Sequence, residues 1–305
     1  MKVLIFGSNG LVGSSVVKRF EKNKKTEVIA ANRKMVDLFN FNETKKFIND
    51  KNPNVIINAA AKVGGILANN TNRTEFILEN LKINLNIIES MIGLPKIKLI
   101  NLGSSCIYPL NAENPINKRS LMSGRLEPTN SPYAMAKLSA IELGDALSKQ
   151  FGNKVVNLMP TNLYGPRDNF DPENSHVIPG LIEKIHKSKQ RNDETFYVWG
   201  SGKPLREFLF VDDLSEAIDF IVENNIEETL LNIGSGYEVT ISELVSIICE
   251  IIGYKGNIDF DLTKPDGNPR KLLDSGKINS YGWKAKTELK EGIEQTYEWY
   301  LKNII

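Results

Sequence analysis

The fold is decided by a stretch close to the start of the chain, Val3-Leu4-Ile5-Phe6-Gly7-Ser8-Asn9-Gly10-Leu11-Val12-Gly13. Its four apolar residues predict a buried strand, and the apolar residues at positions 12, 16, 17 and 20 predict a helix over Leu11–Phe20. Between them, the first glycine permits a tight turn, the second lets a pyrophosphate approach the backbone, and the third lets helix and strand pack closely. A glycine-rich turn without a ligand is the alternative, but the strand–turn–helix context favours dinucleotide phosphates bound at Gly7, Ser8, Asn9, Gly10, Leu11, Val12 and Gly13.

The end of the next apolar run, Glu27–Ala31, distinguishes the two nicotinamide dinucleotides. An acidic residue there would bind the ribose 2′-hydroxyl of NAD, but the sequence continues with Asn32, Arg33 and Lys34. Arg33 can pair with a 2′-phosphate through charge-assisted hydrogen bonds. A solvated surface Arg–Lys pair is the common alternative. The missing carboxylate predicts NADP as the cofactor, used as NADPH, with Arg33 on its 2′-phosphate.

Apolar runs and helical patterns alternate through the first half of the chain. Continuous apolar strands separated by helices are typical of a parallel sheet buried on both faces, and right-handed crossovers place helices on both sides of it. We therefore predict the α/β class, with a Rossmann-type doubly wound parallel sheet. The further runs are Glu27–Ala31, Val55–Ala60, Lys98–Leu102 and Val155–Leu158, and the further helices are Thr74–Met91 and Ser131–Gln150.

The sequence changes character after Pro160. Turn residues and aromatics crowd the segment Thr161–Pro179, Pro265–Pro269 is rich in helix and strand breakers, and Leu289–Asn303 has a helical pattern. These features predict a smaller, loop-rich α/β C-terminal domain that binds substrate. We place the dinucleotide-binding domain at residues 1–163 and 207–235, and the substrate domain at 164–206 and 236–305.

Composition and charge narrow the function classes. The chain has 305 residues, of which 41% are hydrophobic and 25% charged, so a disordered chain, a collagen and a coiled coil are excluded. The formal net charge of +1 gives no support to nucleic-acid binding. The two cysteines, Cys106 and Cys249, cannot form a disulfide framework, and no run reaches the ~18 apolar residues of a membrane span. We expect a soluble cytoplasmic protein without a metal site.

A second motif carries acid–base chemistry. Tyr133 and Lys137 have the Y-x-x-x-K spacing, which places both on one helix face. An ammonium near a phenol is expected to lower the pKa of that phenol towards neutrality. Ser104, after the run Lys98–Leu102, can bond a substrate carbonyl. Alone, such a Tyr–Lys pair is more often a surface pair, but the glycine turn and the serine make the combination specific.

Taken together, these motifs resemble the extended branch of the short-chain dehydrogenase/reductase family, whose members act on nucleotide sugars. Arg206–Asp213 resembles the R-[DE]-F-x-x-V-x-D element of that branch. The resemblance covers nearly the whole chain, and its longer strings are similar to the epimerase–reductases of GDP-sugars. Those strings are Ala59–Ile66, Gly103–Pro109, Glu127–Asn130, Met159–Pro166, Ser175–Pro179, Val198–Gly202 and Lys264–Leu272.

The resemblance implies two chemistries in one site. It implies epimerisation at C3 and C5 of GDP-4-dehydro-6-deoxy-D-mannose, followed by NADPH-dependent reduction at C4 to GDP-L-fucose. Ser104, Tyr133 and Lys137 would act at C4, while Cys106 as base and His176 as acid would exchange protons at C3 and C5, with the reverse direction open. A buried apolar cysteine and a structural histidine are the alternatives for these two residues.

The resemblance also assigns binding residues and a partner. Asn9 stands where some relatives carry a basic residue, so Arg33 and Lys34 would bear more of the 2′-phosphate. The four-helix interface common in the superfamily implies a homodimer through helices near residues 76–92 and 133–150. A nucleotide-sugar epimerase or dehydratase that retains NAD, and a dinucleotide-binding regulator without turnover, are the alternatives. The remaining cofactor assignments are Leu102, Gly103, Ser104, Ser105, Lys137, Pro160, Thr161, Asn162, Leu163 and His176, and those for the GDP-sugar are Lys184, Trp199, Arg206 and Asp266.

Overall fold

The computed structural model describes residues 1–172, 174–264 and 266–305, so Pro265 of the predicted loop lies outside the described residues. None of the helices in these ranges combines the length and apolar character needed to cross a bilayer. The elements in chain order are β1 (Lys2–Phe6), α1 (Leu11–Glu21), β2 (Glu27–Ala31), α2 (Phe41–Lys51), β3 (Val55–Asn58), α3 (Ile66–Thr71), α4 (Arg73–Ser90), β4 (Lys98–Leu102), α5 (Ser131–Phe151), β5 (Lys154–Pro160), β6 (Asn162–Tyr164), α6 (Val177–Arg191), β7 (Thr195–Trp199), β8 (Leu205–Phe210), α7 (Val211–Glu223), β9 (Leu230–Ile233), β10 (Glu238–Thr240), α8 (Ile241–Ile252), β11 (Asn257–Asp261), β12 (Arg270–Lys271), α9 (Gly276–Ser280) and α10 (Leu289–Asn303).

The larger sheet has six parallel strands in the order β2–β1–β3–β4–β5–β9. Successive side chains of β1 point to opposite faces. Val3 and Ile5 pack in a core with α1 and α7, whereas Leu4 and Phe6 pack in a second core with α2, α4 and α5. Both faces of the sheet are therefore buried under helices, and the predicted doubly wound parallel sheet is confirmed.

Most predicted elements end within one or two residues of the observed bounds. The strands Glu27–Ala31 and Lys98–Leu102 and the helix Leu289–Asn303 have the predicted bounds. The run Val55–Ala60 is the clearest difference, because its strand ends at Asn58. There the chain turns, with the Ala60 N–H donating to the Asn58 side chain at 3.2 Å.

The second part of the chain builds smaller sheets around β8. Strand β10 pairs with β8 antiparallel, β6 and β12 pair with it parallel, and β7 pairs with β11. Helices α6, α8 and α10 cover a separate core. The strands of this part have only two to six residues, so no long apolar run in the sequence marks them.

The predicted domain boundaries stay a prediction. Strand β8 crosses the predicted boundary between residues 206 and 207. Ile278 and Trp283, both from the predicted substrate domain, pack into the core under α1 and α7. The two predicted domains are therefore joined by a shared hydrophobic core as well as by the polypeptide chain.

Glu207 lies where the sheets of the two parts meet. Its side chain is fully buried and accepts hydrogen bonds from the N–H groups of Gly236 at 2.8 Å and Leu273 at 3.0 Å. Its backbone carbonyl accepts from Thr161 Oγ1 at 3.2 Å and from Asn162 Nδ2 at 2.8 Å. Burial raises the pKa of Glu207, although these N–H groups oppose the shift. One residue thus joins the end of β5, the turn after β9 and the segment after β12.

We expect Glu207→Ala to lower the free energy of unfolding by about 3 kcal/mol, because it leaves the Gly236 and Leu273 N–H groups buried without an acceptor. Glu207→Gln keeps one side-chain oxygen and should lose less. Urea denaturation of the two variants and the unmodified protein measures both changes. Equal midpoints for Glu207→Ala and the unmodified protein would contradict the assigned contacts.

Candidate active site

The carboxyl ends of the parallel strands form one edge of the larger sheet. Strand β1 lies between β2 and β3, so the order of strands reverses at this point. Ligands of doubly wound sheets bind outside the carboxyl ends of the strands at such a reversal. The predicted cofactor-binding segments Gly7–Gly13, Leu102–Ser105 and Pro160–Leu163 follow or end β1, β4 and β5, and the structure brings all three to this edge.

The three glycines of the first turn have different physical roles. Gly7 has a φ of +75°, and a Cβ there would lie 2.7 Å from the carbonyl carbon of Ala59. A Cβ at Gly13 would overlap the carbonyl oxygen of Gly7. At Gly10 the nearest atom to a Cβ would be the Gly7 oxygen at 3.6 Å, which is ordinary contact. The fold therefore requires glycine at 7 and 13, whereas the free space above Gly10 fits the approach of a phosphate.

The electrostatics of the turn favour an anion. Within the described residues, no side chain caps the amino end of α1, and its first turn carries no acidic residue. The uncapped N–H groups and the helix dipole attract phosphate there. Arg33 is exposed just after β2 and makes no ion pair within the described chain. Its guanidinium is available for a 2′-phosphate, so the residues present fit the predicted NADP.

Four of the five predicted catalytic residues form one cluster. Ser104 is its centre, because its Oγ accepts a hydrogen bond from Cys106 Sγ at 3.0 Å and its side chain acts on the Tyr133 phenol, whose pKa it lowers. Lys137 Nζ lies 5.7 Å from the centroid of the Tyr133 ring and donates to the carbonyl oxygen of Leu102 at 2.7 Å. The helix spacing and the end of β4 thus place a phenol, a thiol, a hydroxyl and an ammonium together.

Burial decides the protonation of this cluster. Desolvation raises the pKa of Tyr133 far above its ordinary value, the charge of Cys106 raises it further, and the Ser104 hydrogen bond opposes both. Desolvation also lowers the pKa of Lys137 to about 8, which the charge of Cys106 partly offsets. The expectation that Lys137 brings the Tyr133 pKa towards neutrality is wrong in this state, because desolvation of the phenolate dominates. The phenol is therefore protonated at neutral pH and can act as a proton donor.

His176 lies on the loop that leads into α6, directly before its first residue. The loop around residues 60–65, in the predicted dinucleotide-binding domain, contacts the segment before His176. The Gly65 N–H donates to the Asn174 carbonyl at 2.9 Å. A Cβ on Gly65 would overlap the carbonyl oxygen of Ser175. The close approach of these two loops therefore depends on glycine at position 65 and sets the position of His176.

Phe76 connects this loop contact to the catalytic cluster. Its ring packs edge-on against Tyr133 with centroids 6.3 Å apart, and its Cζ lies 3.2 Å from where a Cβ of Gly64 would be. Contacts through Gly65, Gly64 and Phe76 thus link the segment that carries His176 to the segment that carries Tyr133. Although the His176 side chain is solvent-exposed by area, the surrounding protein desolvates the imidazolium and lowers its pKa.

The predicted substrate residues Lys184 and Trp199 meet in the second part of the chain. The Trp199 side chain is 62% exposed at the end of β7, and Lys184 Nζ from α6 lies 5.1 Å from its ring centroid. Lys264, which the sequence reasoning did not assign, lies 5.5 Å from the same centroid. An exposed indole flanked by two ammonium groups can stack on a base and attract phosphate.

Asp266 and Arg206 lie close enough for their charges to interact. Asp266 accepts hydrogen bonds from the N–H and Oγ of Ser201 at 2.8 and 2.6 Å, and the side-chain bond contributes most to lowering its pKa. Asp266 therefore fixes the turn after Trp199, and only its remaining lone pairs can accept from a ligand. Burial lowers the pKa of Arg206, which the charge of Asp266 partly offsets.

Sequence reasoning also missed Lys271. It is opposite Arg206 in the parallel pairing of β12 with β8, and the charge of Cys106 acts on its ammonium. The string Lys264–Leu272 contained it, but a two-residue strand gives no periodic signal that would place the side chain. The one usable signal was that Lys271 is a cation close in sequence to Asp266, which was assigned to the substrate.

Comparison with known proteins agrees with this geometry. Residues 3–234 match the family described as NAD dependent epimerase/dehydratase family. The chain is 46% identical to GDP-L-fucose synthase 1 of Arabidopsis thaliana over 99% of its length and 94% of that protein, and 42% identical to GDP-L-fucose synthase of Escherichia coli (99% and 97%). A GDP-L-fucose synthetase from Naegleria fowleri, solved bound to NADP, is 28% identical with a TM-score of 0.89, covering 99% of this chain and 94% of that one.

We expect Gly10→Ala to fold normally and to bind NADPH at least about tenfold more weakly, because its methyl group enters the space left for a phosphate. Gly13→Ala should instead lower the melting temperature, because its Cβ overlaps the Gly7 carbonyl. Fluorescence titration with NADPH and thermal unfolding separate the two effects. Unchanged NADPH affinity in Gly10→Ala would contradict the phosphate position.

Proposed function

The chain belongs to the NAD dependent epimerase/dehydratase family, and we propose that it is a bifunctional enzyme that converts GDP-4-dehydro-6-deoxy-D-mannose to GDP-L-fucose. It epimerises C3 and C5 and then reduces C4 with NADPH. The observation that carries the proposal is the Cys106 thiol, whose Sγ donates a hydrogen bond to Ser104 Oγ at 3.0 Å beside the Tyr133 phenol. A simple ketone reductase needs the phenol but has no use for a thiol at this position.

The order of the two chemistries follows from carbon acidity. While C4 is a ketone, the flanking C–H bonds at C3 and C5 are acidic, because the carbanion delocalises as an enolate. The hydroxyls of Ser104 and Tyr133 and the charge of Lys137 stabilise the oxyanion that develops at C4. Reduction removes the ketone and fixes the new configuration, so epimerisation comes first.

Inversion of a carbon needs one group to remove a proton and another to deliver one on the opposite face. Cys106 supplies a thiolate as the base, and His176 is the second proton-exchanging group. Desolvation by the surrounding protein favours the neutral imidazole of His176. A nearby enolate opposes this effect, because negative charge stabilises the imidazolium that donates the proton.

In the reduction, bound NADPH supplies a hydride to C4. Tyr133 donates a proton to the C4 oxygen, which suits a phenol that burial keeps protonated. Lys137 lies beside the phenol and stabilises the phenolate that remains after the transfer. The protein's further task is to hold the sugar so that C4 faces the nicotinamide.

The second part of the chain recognises the GDP group. Arg206 and Lys184 neutralise the pyrophosphate, and the exposed face of Trp199 packs against the base or the sugar. Asp266 orients the turn that carries Trp199 and accepts from a guanine or ribose donor with its free lone pairs. A cytoplasmic location fits this assignment, since a reducing compartment keeps the Cys106 thiol free.

A homodimer completes the proposal. Helices α4 and α5 pack against each other, and α4 exposes Leu78 and Leu85 seven residues apart, at 49% and 40%. Met135 on α5 is also exposed. Apolar side chains on one face of a helix pair favour burial against the same pair of a second copy.

The direct test of the function mixes purified protein with the 4-keto GDP-sugar and NADPH. We expect the enzyme to consume one NADPH per sugar. The loss of absorbance of the reduced nicotinamide measures this consumption. In deuterated water, Cys106→Ser should lose deuterium exchange at C3 and C5 but keep some reduction, and Tyr133→Phe should lose reduction by at least about a hundredfold.

Cys249→Ser, on α8, is the matched control and should keep both activities. An unchanged NADPH trace with the unmodified enzyme would refute the reductase and favour an epimerase or dehydratase that retains NAD. Exchange at the native rate in Cys106→Ser would refute the base assignment.

We expect Leu85→Arg to convert the dimer to a monomer, because it buries an unpaired charge in the proposed interface. Leu262→Arg is the control, since Leu262 is exposed in the turn after β11, away from α4 and α5 in the sequence. Light scattering measures the mass of each variant. A monomeric unmodified protein would refute the dimer.

A further inference from the structure

The helix that follows His176 does not hold its side chain. His176 is the residue before α6, and its imidazole makes no capping hydrogen bond to that helix. The side chain is also exposed by area. Proton transfer to one face of a sugar requires the imidazole in a fixed position. The position of the ring therefore depends on the contacts that fix the backbone of the segment Asn174–His176.

Contacts on two sides fix this backbone. The Gly65 N–H donates to the Asn174 carbonyl at 2.9 Å, and a Cβ on Gly65 would lie 2.4 Å from the Ser175 carbonyl oxygen. On the other side, the Gly180 N–H of α6 donates to the His176 carbonyl at 3.0 Å. The loop that ends at Gly65 and the first turn of α6 thus enclose the segment, so a displacement of the loop displaces His176.

Asn69, a buried residue of the short helix α3, holds that loop. Its Nδ2 donates to the carbonyl oxygens of Gly64 at 2.7 Å and Gly65 at 3.0 Å. Within the described part of the chain, its Oδ1 is buried and has no hydrogen-bond partner. The reverse orientation of the amide would place this oxygen against two carbonyl oxygens. An unpaired buried acceptor costs free energy, so the stability of the fold alone does not explain an asparagine at this position.

The residues after α3 contact the other proton carrier. Arg73, the first residue of α4, donates from Nη1 to the Pro128 carbonyl at 2.8 Å, just before the helix that carries Tyr133. The Phe76 ring packs against the Tyr133 ring with centroids 6.3 Å apart. Residues 64–76 therefore contact the histidine segment at their start and the tyrosine segment at their end.

We propose that Asn69 is a positioning residue for His176, because it holds the Gly64–Gly65 loop against the backbone before the histidine. This inference rests on the proposed function and deepens it. In the step that His176 performs, the N–H bond of the imidazolium breaks and a C–H bond forms at C3 or C5, while the enolate becomes the C4 ketone again. Asn69 acts on this step through the backbone. Hydride transfer to C4 does not use His176, so loss of Asn69 should affect epimerisation more than reduction.

The first test compares the two chemistries in Asn69→Ala. We expect deuterium exchange at C3 and C5 to fall at least about tenfold with little change in the KM for the GDP-sugar. Reduction should fall less, so a larger share of the product is reduced without inversion. Gly65→Ala displaces the same backbone and should act in the same direction. Asn70→Ala, at the exposed neighbouring residue of α3, is the matched control and should keep the ratio of the unmodified enzyme.

The second test observes His176 without substrate. The chain has two histidines, so NMR of ¹⁵N-labelled imidazole rings follows both, and the variant His176→Gln identifies the signal of His176 by its loss. The surrounding protein desolvates the imidazolium and lowers the pKa of His176. Release of the segment in Asn69→Ala should therefore raise this pKa towards about 6.5. The titration of His186, nine residues into α6, should stay as in the unmodified protein.

An exchange-to-reduction ratio in Asn69→Ala that equals the ratio of the unmodified enzyme would overturn the inference, as would an unchanged titration of His176. A parallel loss of both activities would overturn it as well, because it would indicate a merely structural role. Thermal unfolding checks that the variant folds, and Asn69→Ser, which keeps one donor, decides in the same way if Asn69→Ala does not. A failure of the proposed function is seen separately, as an unchanged NADPH trace in the unmodified enzyme.

Discussion

The parallel arrangement of the larger sheet is the constraint on which the site depends. Because all six strands run in the same direction, their carboxyl ends must lie at one edge. The glycine turn after β1, Ser104 after β4 and the segment after β5 come together there although they are far apart in sequence. Glu207 then attaches the second part of the chain to the end of β5, which brings Arg206 and Lys271 to the same edge.

Positive charge lies close to the proton carriers. The charge of Cys106 acts on the ammonium groups of Lys137 and Lys271, while burial keeps the phenol of Tyr133 neutral. Such an arrangement suits a reaction whose negative charge moves among a thiolate, an enolate oxygen and a pyrophosphate. Desolvation, rather than the spacing of Tyr133 and Lys137, decides the protonation of both residues in this state.

Local sequence signals predicted the parts of the molecule that depend on local structure. The turn Gly7–Gly13, the helix Leu289–Asn303 and the Tyr133–Lys137 face follow from spacing and periodicity. Resemblance supplied Cys106 and His176, for which spacing alone gave no signal. Lys271 and Glu207 were not predicted, because the position of Lys271 opposite Arg206 and the hydrogen bonds of Glu207 join segments that are distant in sequence. The exposed apolar face of α4 was not recognised either, since the exposed face of a helix depends on which of its faces packs against the sheet.

A crystal structure with NADP⁺ and the 4-keto GDP-sugar bound tests most directly whether a phenol, a thiol and an imidazole converge on one hexose. We expect the Tyr133 hydroxyl within hydrogen-bond distance of the C4 oxygen, and Cys106 Sγ and the His176 ring on opposite faces of the sugar beside C3 and C5. If Cys106 or His176 instead pointed away from the ring, into packed interior or bulk water, the two-step chemistry would be contradicted and a plain ketone reductase would remain.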